Sequence, residues 1–293
     1  MAVAQRDPHT GYTTTGHEWN GITELNRPVP KVIWLFLAAT IIFSVIYWVL
    51  MPAWPLVETY TKGVLGVDQR SSLAENLRIA AADRASWTQQ IETRNFAEIQ
   101  ADDSLMQIVR NTGRPLFEDN CATCHGMKGQ GGHGFPRLTD DAWLWGADPA
   151  TVAETIRVGI NSTHNETRVS QMQAFGRDGI LDRAAILDVV TYVRSLAGAE
   201  PTGDERSDSI AAAAEVFAAN CAACHGESGT GNTELGAPDL TDESWIYGGD
   251  RQSVYTTVYR GRQGHMPHWE GRLSALERKL LTLFVLDLGA TKQ

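Results

Sequence analysis

All four cysteines of the chain fall in two short motifs, and the motifs themselves sit in a repeat. Cys121-Ala-Thr-Cys124-His125 and Cys221-Ala-Ala-Cys224-His225 lie 100 residues apart. Their flanks recur as well: Phe117, Asn120 and Gly126 match Phe217, Asn220 and Gly226. Further on, Leu138, Thr139, Asp140 and Trp143 match Leu240, Thr241, Asp242 and Trp245 at an offset of 102. Val152, Ile156 and Gly159 match Val254, Val258 and Gly261 at the same offset. Two copies predict two small domains in tandem, since a solenoid needs three or more. No cysteine is left over for a structural disulfide, so the chain does not read as a disulfide scaffold.

Each copy closes on a helical pattern. Ile186, Val189, Val190, Val193 and Leu196 share one face in the first, and Leu276, Leu280, Leu283 and Phe284 in the second. These residues read as ordinary core. The expected domains are 108–198 and 210–293. Residues 199–209, rich in Pro, Gly, Asp and Ser, read as a linker.

C-x-x-C-H is a haem attachment pattern with a mechanism: two thiols add to two vinyl groups, and the next imidazole reaches the iron. A four-cysteine zinc site wants its pairs about 15–20 residues apart, whereas 96 residues separate Cys124 from Cys221. A thioredoxin-like pair wants a βαβ setting. Here a glycine-rich loop follows each motif (Gly126, Gly129, Gly131, Gly132; Gly226, Gly229, Gly231). Such glycines let backbone lie close to a flat ligand. The cofactors expected are two covalent c-type haems, on Cys121 and Cys124 and on Cys221 and Cys224, with His125 and His225 as iron ligands.

An electron-carrying haem wants a sixth ligand, and methionine raises its potential relative to histidine. Met1 and Met51 are out of place, Met127 is too close to His125, and Met106 precedes the first domain. Met172 and Met266 remain, one per copy, each just before the last helix. The stretch from Gly159 to Met172 is eight residues longer than that from Gly261 to Met266. The insertion holds His164, and His265 adjoins Met266; both histidines read as solvated loop residues. Either methionine could serve its own copy's haem or the other's, and the sequence leaves that choice open.

Residues 32–51 form an uncharged run of 20, with only Thr40 and Ser44 clearly polar. A helix of that length crosses a hydrocarbon core of about 30 Å. Trp34 near one end and Tyr47, Trp48 and Trp54 near the other suit interfacial belts. About 30 mostly polar residues come first, which no cleaved signal peptide has. Residues 52–107 read as a helical spacer, with sparse apolar positions at Leu77, Trp87 and Ile91. Arg6, Arg27 and Lys31 before the span, against Lys62 and Arg70 after it, favour a cytoplasmic N-terminus only weakly. Haem attachment to C-x-x-C-H is completed outside the energised membrane, which puts the large C-terminal part in the periplasm. The formal charge of −10 argues against nucleic acid as a partner. It suits a basic partner, or simply solubility.

The repeats resemble class I cytochrome c domains, which are all-helical. The segment before the span narrows the likeness: Gly16-His17-Glu18-Trp19-Asn20-Gly21-Ile22, then Glu24-Leu25-Asn26-Arg27-Pro28-Val29-Pro30. With Met51-Pro52-Ala53-Trp54-Pro55 after it, the chain resembles the dihaem subunit (subunit III) of cbb3-type cytochrome c oxidases. The resemblance implies an all-α chain: residues 1–31 cytoplasmic, one transmembrane helix, a helical spacer and two tandem class I cytochrome c domains. It implies a subunit of the bacterial inner membrane that takes electrons from a donor cytochrome c. It would pass them to a monohaem cytochrome c subunit and on to the oxygen-reducing haem–copper subunit. Membrane lipid is a further partner. The axial ligands would be His125, Met172, His225 and Met266, and no catalytic site is implied. Gln173 departs from the family pattern, which has proline after the ligand methionine, as in Met266-Pro267. By the same resemblance, the carbonyls of Pro136 and Pro238 accept the Nδ1–H of the ligand histidines. The rival readings are a free-standing tethered dihaem carrier and a dihaem peroxidase.

Acidic organic extraction of the purified protein should leave two haems on the chain. Replacing Cys121 and Cys124 by serine should lower the mass by one haem, and bound zinc or a single haem in the parent would refute the assignment.

Overall fold

A computed structural model describes residues 5–199 and 207–290. The chain divides into two compact units, 1–83 and 84–293.

The first unit opens on a hairpin, β1 (Thr14–Trp19) and β2 (Ile22–Leu25), paired antiparallel with Trp19 opposite Ile22. Asn20 and Gly21 both take positive φ. That is the two-residue turn that Asn-Gly favours, because its twist matches the strands. The apolar run forms α1 (Lys31–Leu50), and none of its residues is buried. It is the one helix among the described residues long and apolar enough to cross a membrane. The hairpin is an addition to the all-helical expectation.

A long helix, α2 (Gln69–Thr93), runs across the boundary between the units. In the second unit its last turns are core rather than spacer. Ile91 is fully buried, as are Ile99 of α3 (Phe96–Gln100) and Val109 of α4 (Asp103–Asn120). Met106, read above as lying ahead of the first domain, is buried in the same cluster. Asn95 and Glu98 form a reciprocal cap on α3, and Asp102 caps α4, which satisfies amides that each helix start leaves open.

The two copies then repeat one plan. A short helix carries each motif: α5 (Ala122–His125) and, in the second copy, α9 (Ala222–His225). The helices that follow are α6 (Pro149–Val158) and α10 (Arg251–Arg260), capped by Asp148 and Asp250. The closing helices are α7 (Arg183–Leu196) and α11 (Ala275–Ala290), and α8 (Ser207–Asn220) opens the second copy. Most of the expected linker lies outside the described residues.

The closing helices are exchanged. The last helix of the chain, α11, packs on α4 and α6 of the first copy. Helix α7 packs on α8 and α10 of the second. Phe284 meets Phe117 with ring centroids 5.6 Å apart, and in the other core Tyr192 meets Phe217 at 5.2 Å. Arg110 of α4 donates two hydrogen bonds to the Asp287 carboxylate of α11, at 2.9 and 2.8 Å. Each packed half is therefore built from both sequence copies.

The exchange follows from what happens after Gly159 and Gly261. Both take positive φ, 70° and 68°. A Cβ on Gly159 would lie 2.4 Å from the carbonyl oxygen of Met266, and one on Gly261 equally close to that of Met172. The neighbouring residues pair reciprocally. Ile160 and Met266 exchange two backbone bonds of 2.9 Å, and Met172 and Arg262 exchange bonds of 2.8 and 3.1 Å. Residues 160–171 and 261–265 thus carry each methionine, and the helix behind it, into the opposite half.

Leu283 lies in the last helix and is fully buried. Leu283→Ala should cost about 2–5 kcal/mol in urea unfolding. Hydrogen exchange should then quicken in α4, some 160 residues earlier, while α8 keeps its protection. Faster exchange in α8 instead would refute the exchanged packing.

Candidate cofactor sites

Around the first motif, α4, α5, α6 and α11 enclose a cleft of about 800 Å³, counted to its open mouth. Cys121, His125, Pro136, Trp143, Ile160 and Met266 all line it. Met266 comes from the second sequence copy. Around the second motif, Met172, Phe217, Cys221, Leu240, Trp245 and Val258 share one apolar cluster with α7. Met172 comes from the first copy. The structure therefore brings His125 together with Met266, and Cys221 of the second motif together with Met172.

Both motif histidines are held alike. His125 Nδ1 lies 3.0 Å from the carbonyl oxygen of Pro136, and His225 Nδ1 lies 3.0 Å from that of Pro238. A carbonyl only accepts, so each Nδ1 carries the hydrogen and donates it. Nε2 is left as the basic nitrogen, which is the metal-binding form. Burial pushes the affinity of both imidazoles for a proton down, against the smaller opposite pull of the proline carbonyl. Neutral rings therefore prevail in the folded chain. Burial pushes the Cys121 and Cys221 thiols up to about 11, while Cys124 and Cys224 are exposed.

The proline carbonyls are placed by the glycine loops. Gly131 N–H bonds the His125 carbonyl, and Leu138 N–H bonds that of Gly129, both at 2.7 Å. A Cβ on Gly131 would meet the backbone of residues 135–137 at under 3 Å, and Gly231 stands the same way before 237–239. These two glycines thus admit the proline-bearing backbone, which the sequence reading had assigned to a flat ligand.

The two halves also meet through a pair of aromatic residues that the sequence reading passed over. Trp145 lies against Gly236 and Tyr247 beside Gly134, and Gly134 N–H bonds the Ile246 carbonyl at 2.8 Å. Arg168 covers the Trp145 ring at 4.8 Å, and Arg262 covers the Tyr247 ring at 4.1 Å. Both arginines bond the matching threonines, Thr155 and Thr257. The available signal was the constant offset of 102 between Trp145 and Tyr247, Gly134 and Gly236, and Thr155 and Thr257. The arginines break that offset, because the insertion separates them.

The other histidines behave differently from one another. His265 is exposed, as expected of a loop histidine. His164 is half-buried and bonded within the protein. Its Nδ1 accepts the Glu166 N–H at 3.0 Å, and its Nε2 donates to the Glu270 carboxylate at 2.7 Å. Both ring nitrogens are used, so neither is free for iron. His164 first, and then the Arg157 guanidinium, hold the Glu270 carboxyl below the usual range. Met127 is exposed and Met106 is buried in the core, so neither enters a site.

The residues present fit a covalently held haem: Cys121, a neutral imidazole with Nε2 available and the Met266 thioether line one apolar cleft, and Cys124 of the same motif is exposed. Comparison with known proteins agrees. Residues 11–58 match the N-terminal domain of cytochrome oxidase-cbb3, FixP. Residues 111–197 match cytochrome c, and residues 208–285 match cytochrome c oxidase, cbb3-type, subunit III. A cbb3-type cytochrome c oxidase subunit FixP from Azorhizobium caulinodans is 47% identical over 280 residues, covering 95% of this chain and 94% of its own. The FixP subunit of Bradyrhizobium sp. (strain ORS 278) is 42% identical over 286 residues, covering 98% of both chains. The CcoP subunit of Azospirillum sp. (strain B510) is 43% identical over 301 residues and covers both chains completely. One apolar N-terminal helix that fits a single span and two cytochrome c domains for c-type haems make this chain an electron-transfer protein, and it belongs to the FixP/CcoP family of cbb3-type cytochrome c oxidase subunits.

Proposed function

We propose that His125 and Met266 are the axial ligands of one c-type haem, bonded through Cys121 and Cys124. His225 and Met172 then serve the other, bonded through Cys221 and Cys224. The observation that carries this reading is the position of Met266 in the His125 cleft, delivered there by the crossing after Gly261. A c-type haem held there supplies a one-electron iron couple. The protein's part is to keep both imidazoles neutral and oriented through Pro136 and Pro238, and to hold a thioether opposite each. His125 with Met266, and His225 with Met172, would leave an iron held there no open coordination position. This supports electron carriage over the peroxidase reading, which needs one iron open.

The subunit takes electrons from a donor cytochrome c and delivers them to a monohaem cytochrome c subunit, and so to the oxygen-reducing, proton-pumping haem–copper subunit. The relatives bear the name of oxidase subunits, which supports assembly with those partners. The FixP match over residues 11–58 favours an assembled subunit over a free-standing carrier, because a plain tether needs no particular sequence. Chain orientation follows from haem attachment: α1 spans the bacterial inner membrane, residues 1–31 are cytoplasmic and both haem domains are periplasmic.

Crossed ligation is tested with a labelled haem. Cys124→Ala leaves one thioether and shifts the visible band of the first-motif haem alone. In that background Met266→Leu should strip the weak far-red band from the labelled haem and lower its potential. Met172→Leu should do so to the unlabelled one. The reverse pattern would refute crossing.

The part beyond the span carries 22 basic and 32 acidic residues, hence the whole charge of −10. Asp119, Glu227 and Glu234 are exposed near the motifs, and Glu118 is half-buried. Such a field steers a donor with a basic face, speeding encounter by roughly 10-fold or more at low salt. Uptake from a soluble basic cytochrome c should therefore slow as the screening length shrinks to about 8 Å at physiological ionic strength. Neutralising Asp119 or Glu227 should slow it further. A second-order rate flat across salt would assign the acidity to solubility instead.

A further inference from the structure

The two methionine loops are tied down by different chemistry. Around Met266, the loop is fixed to α6 by backbone bonds: Trp269 N–H to the Ile156 carbonyl, and Glu270 N–H to that of Arg157, both at 3.1 Å. Charge is added to these. Arg157 donates to the Glu270 carboxylate at 3.1 Å, and His164 Nε2 donates to the same oxygen at 2.7 Å. Arg157 also holds Glu154 and Glu166, and the His164 ring lies 5.5 Å from that of His268. His164 and Glu166 both belong to the insertion between Gly159 and Met172. Asn161 of the same crossing donates to the Gly264 carbonyl at 2.7 Å.

Around Met172 the backbone plan recurs, with Arg177 N–H bonding the Tyr259 carbonyl at 2.9 Å. The charge network does not. Tyr259 stands where the first copy has Arg157. Gly176 lies against its ring, and a Cβ there would come within 2.1 Å of it. Among the described residues no ion pair joins this loop to α10; Arg177 pairs only with its neighbour Asp178.

We infer that Arg157, His164 and Glu270 are positioning residues that clamp the Met266 loop over the His125 cleft, so that the insertion tunes one haem and leaves the other alone. The inference rests on the crossed ligand set proposed above. A methionine thioether is a neutral, weak donor, and its bond to ferric iron survives only where the loop keeps the sulfur in place. Three side chains converging from α6, the insertion and the loop remove that loop's freedom. At the second site the close fit of glycine on tyrosine does the same work without charge, so the two sites respond to different substitutions.

The test uses the full-length, haem-loaded protein, read by potentiometric titration of the far-red absorbance. Met266→Leu first identifies the wave that belongs to this methionine. Glu270→Ala should weaken that wave and move it to lower potential, leaving the other wave in place. Glu270→Gln, which keeps an acceptor for Arg157 and His164, should restore part of the loss. His164→Gln removes one contact only, and should produce the same shift at smaller amplitude if Glu270→Ala folds poorly. Gly176→Ala should disturb only the other wave. If Glu270→Ala and His164→Gln both leave the Met266 wave unchanged, or move the second wave, the clamp is wrong while crossed ligation stands. If Met266→Leu leaves the first-motif haem unchanged, crossed ligation itself is wrong, and the clamp with it.

Discussion

Where α6 ends at Gly159 the backbone turns with φ 70° and meets the carbonyl of Met266, and the rest of the haem-bearing unit is arranged around that meeting. A side chain at Gly159 would occupy the place of the incoming strand, and positive φ disfavours any residue with a Cβ. The same holds at Gly261 and Met172. Two short strands thus pass each other, each carrying a methionine and a closing helix into the opposite half. The apolar faces of α7 and α11 are then buried against residues of the other copy. Loss of either crossing would uncover a complete helix face, not a single contact.

This arrangement divides the chemistry between the copies. Each cysteine pair and its histidine remain on a local frame: motif helix, glycine loop and proline carbonyl. That frame uses backbone bonds and one imidazole–carbonyl bond, all within about 15 residues. It sets the tautomer of the imidazole without help from outside. The thioether, by contrast, arrives from a distance in sequence. The orientation of each imidazole is a local property, and which thioether comes near it is a property of the whole unit. Trp145 and Tyr247, each under an arginine and against a glycine of the opposite copy, tie the halves at the same seam.

Several features were legible because their physics is local. The span needs only 20 apolar residues. The motifs need only five. The proline carbonyls stand only 11 and 13 residues after their histidines, so their role carried over from resemblance to geometry. The hairpin was missed although Asn20-Gly21 is a strong turn signal, because its strands are short and nearly all exposed and show no alternation. The end of α2 was read as spacer because Trp87 and Ile91 stand among polar residues. Ile91 belongs to a buried cluster that includes Leu280, Leu281 and Leu283 of α11, which lie far from it in the chain. His164 was read as solvated for the same reason. Its partner Glu270 lies 106 residues away.

What the sequence by itself determined is the cofactor chemistry, the single apolar helix and the presence of two cytochrome c domains. Each depends on residues close together in the chain or on a repeat that can be aligned by eye. Which methionine comes to which motif was left open by those signals and depends on the tertiary structure. Helices α7 and α11 offer similar apolar faces, so hydrophobic pattern alone fits either of them to either half. The choice is made where Ile160 and Met266, and Arg262 and Met172, satisfy each other's backbone hydrogen bonds. Those pairs exist only once the two strands have crossed.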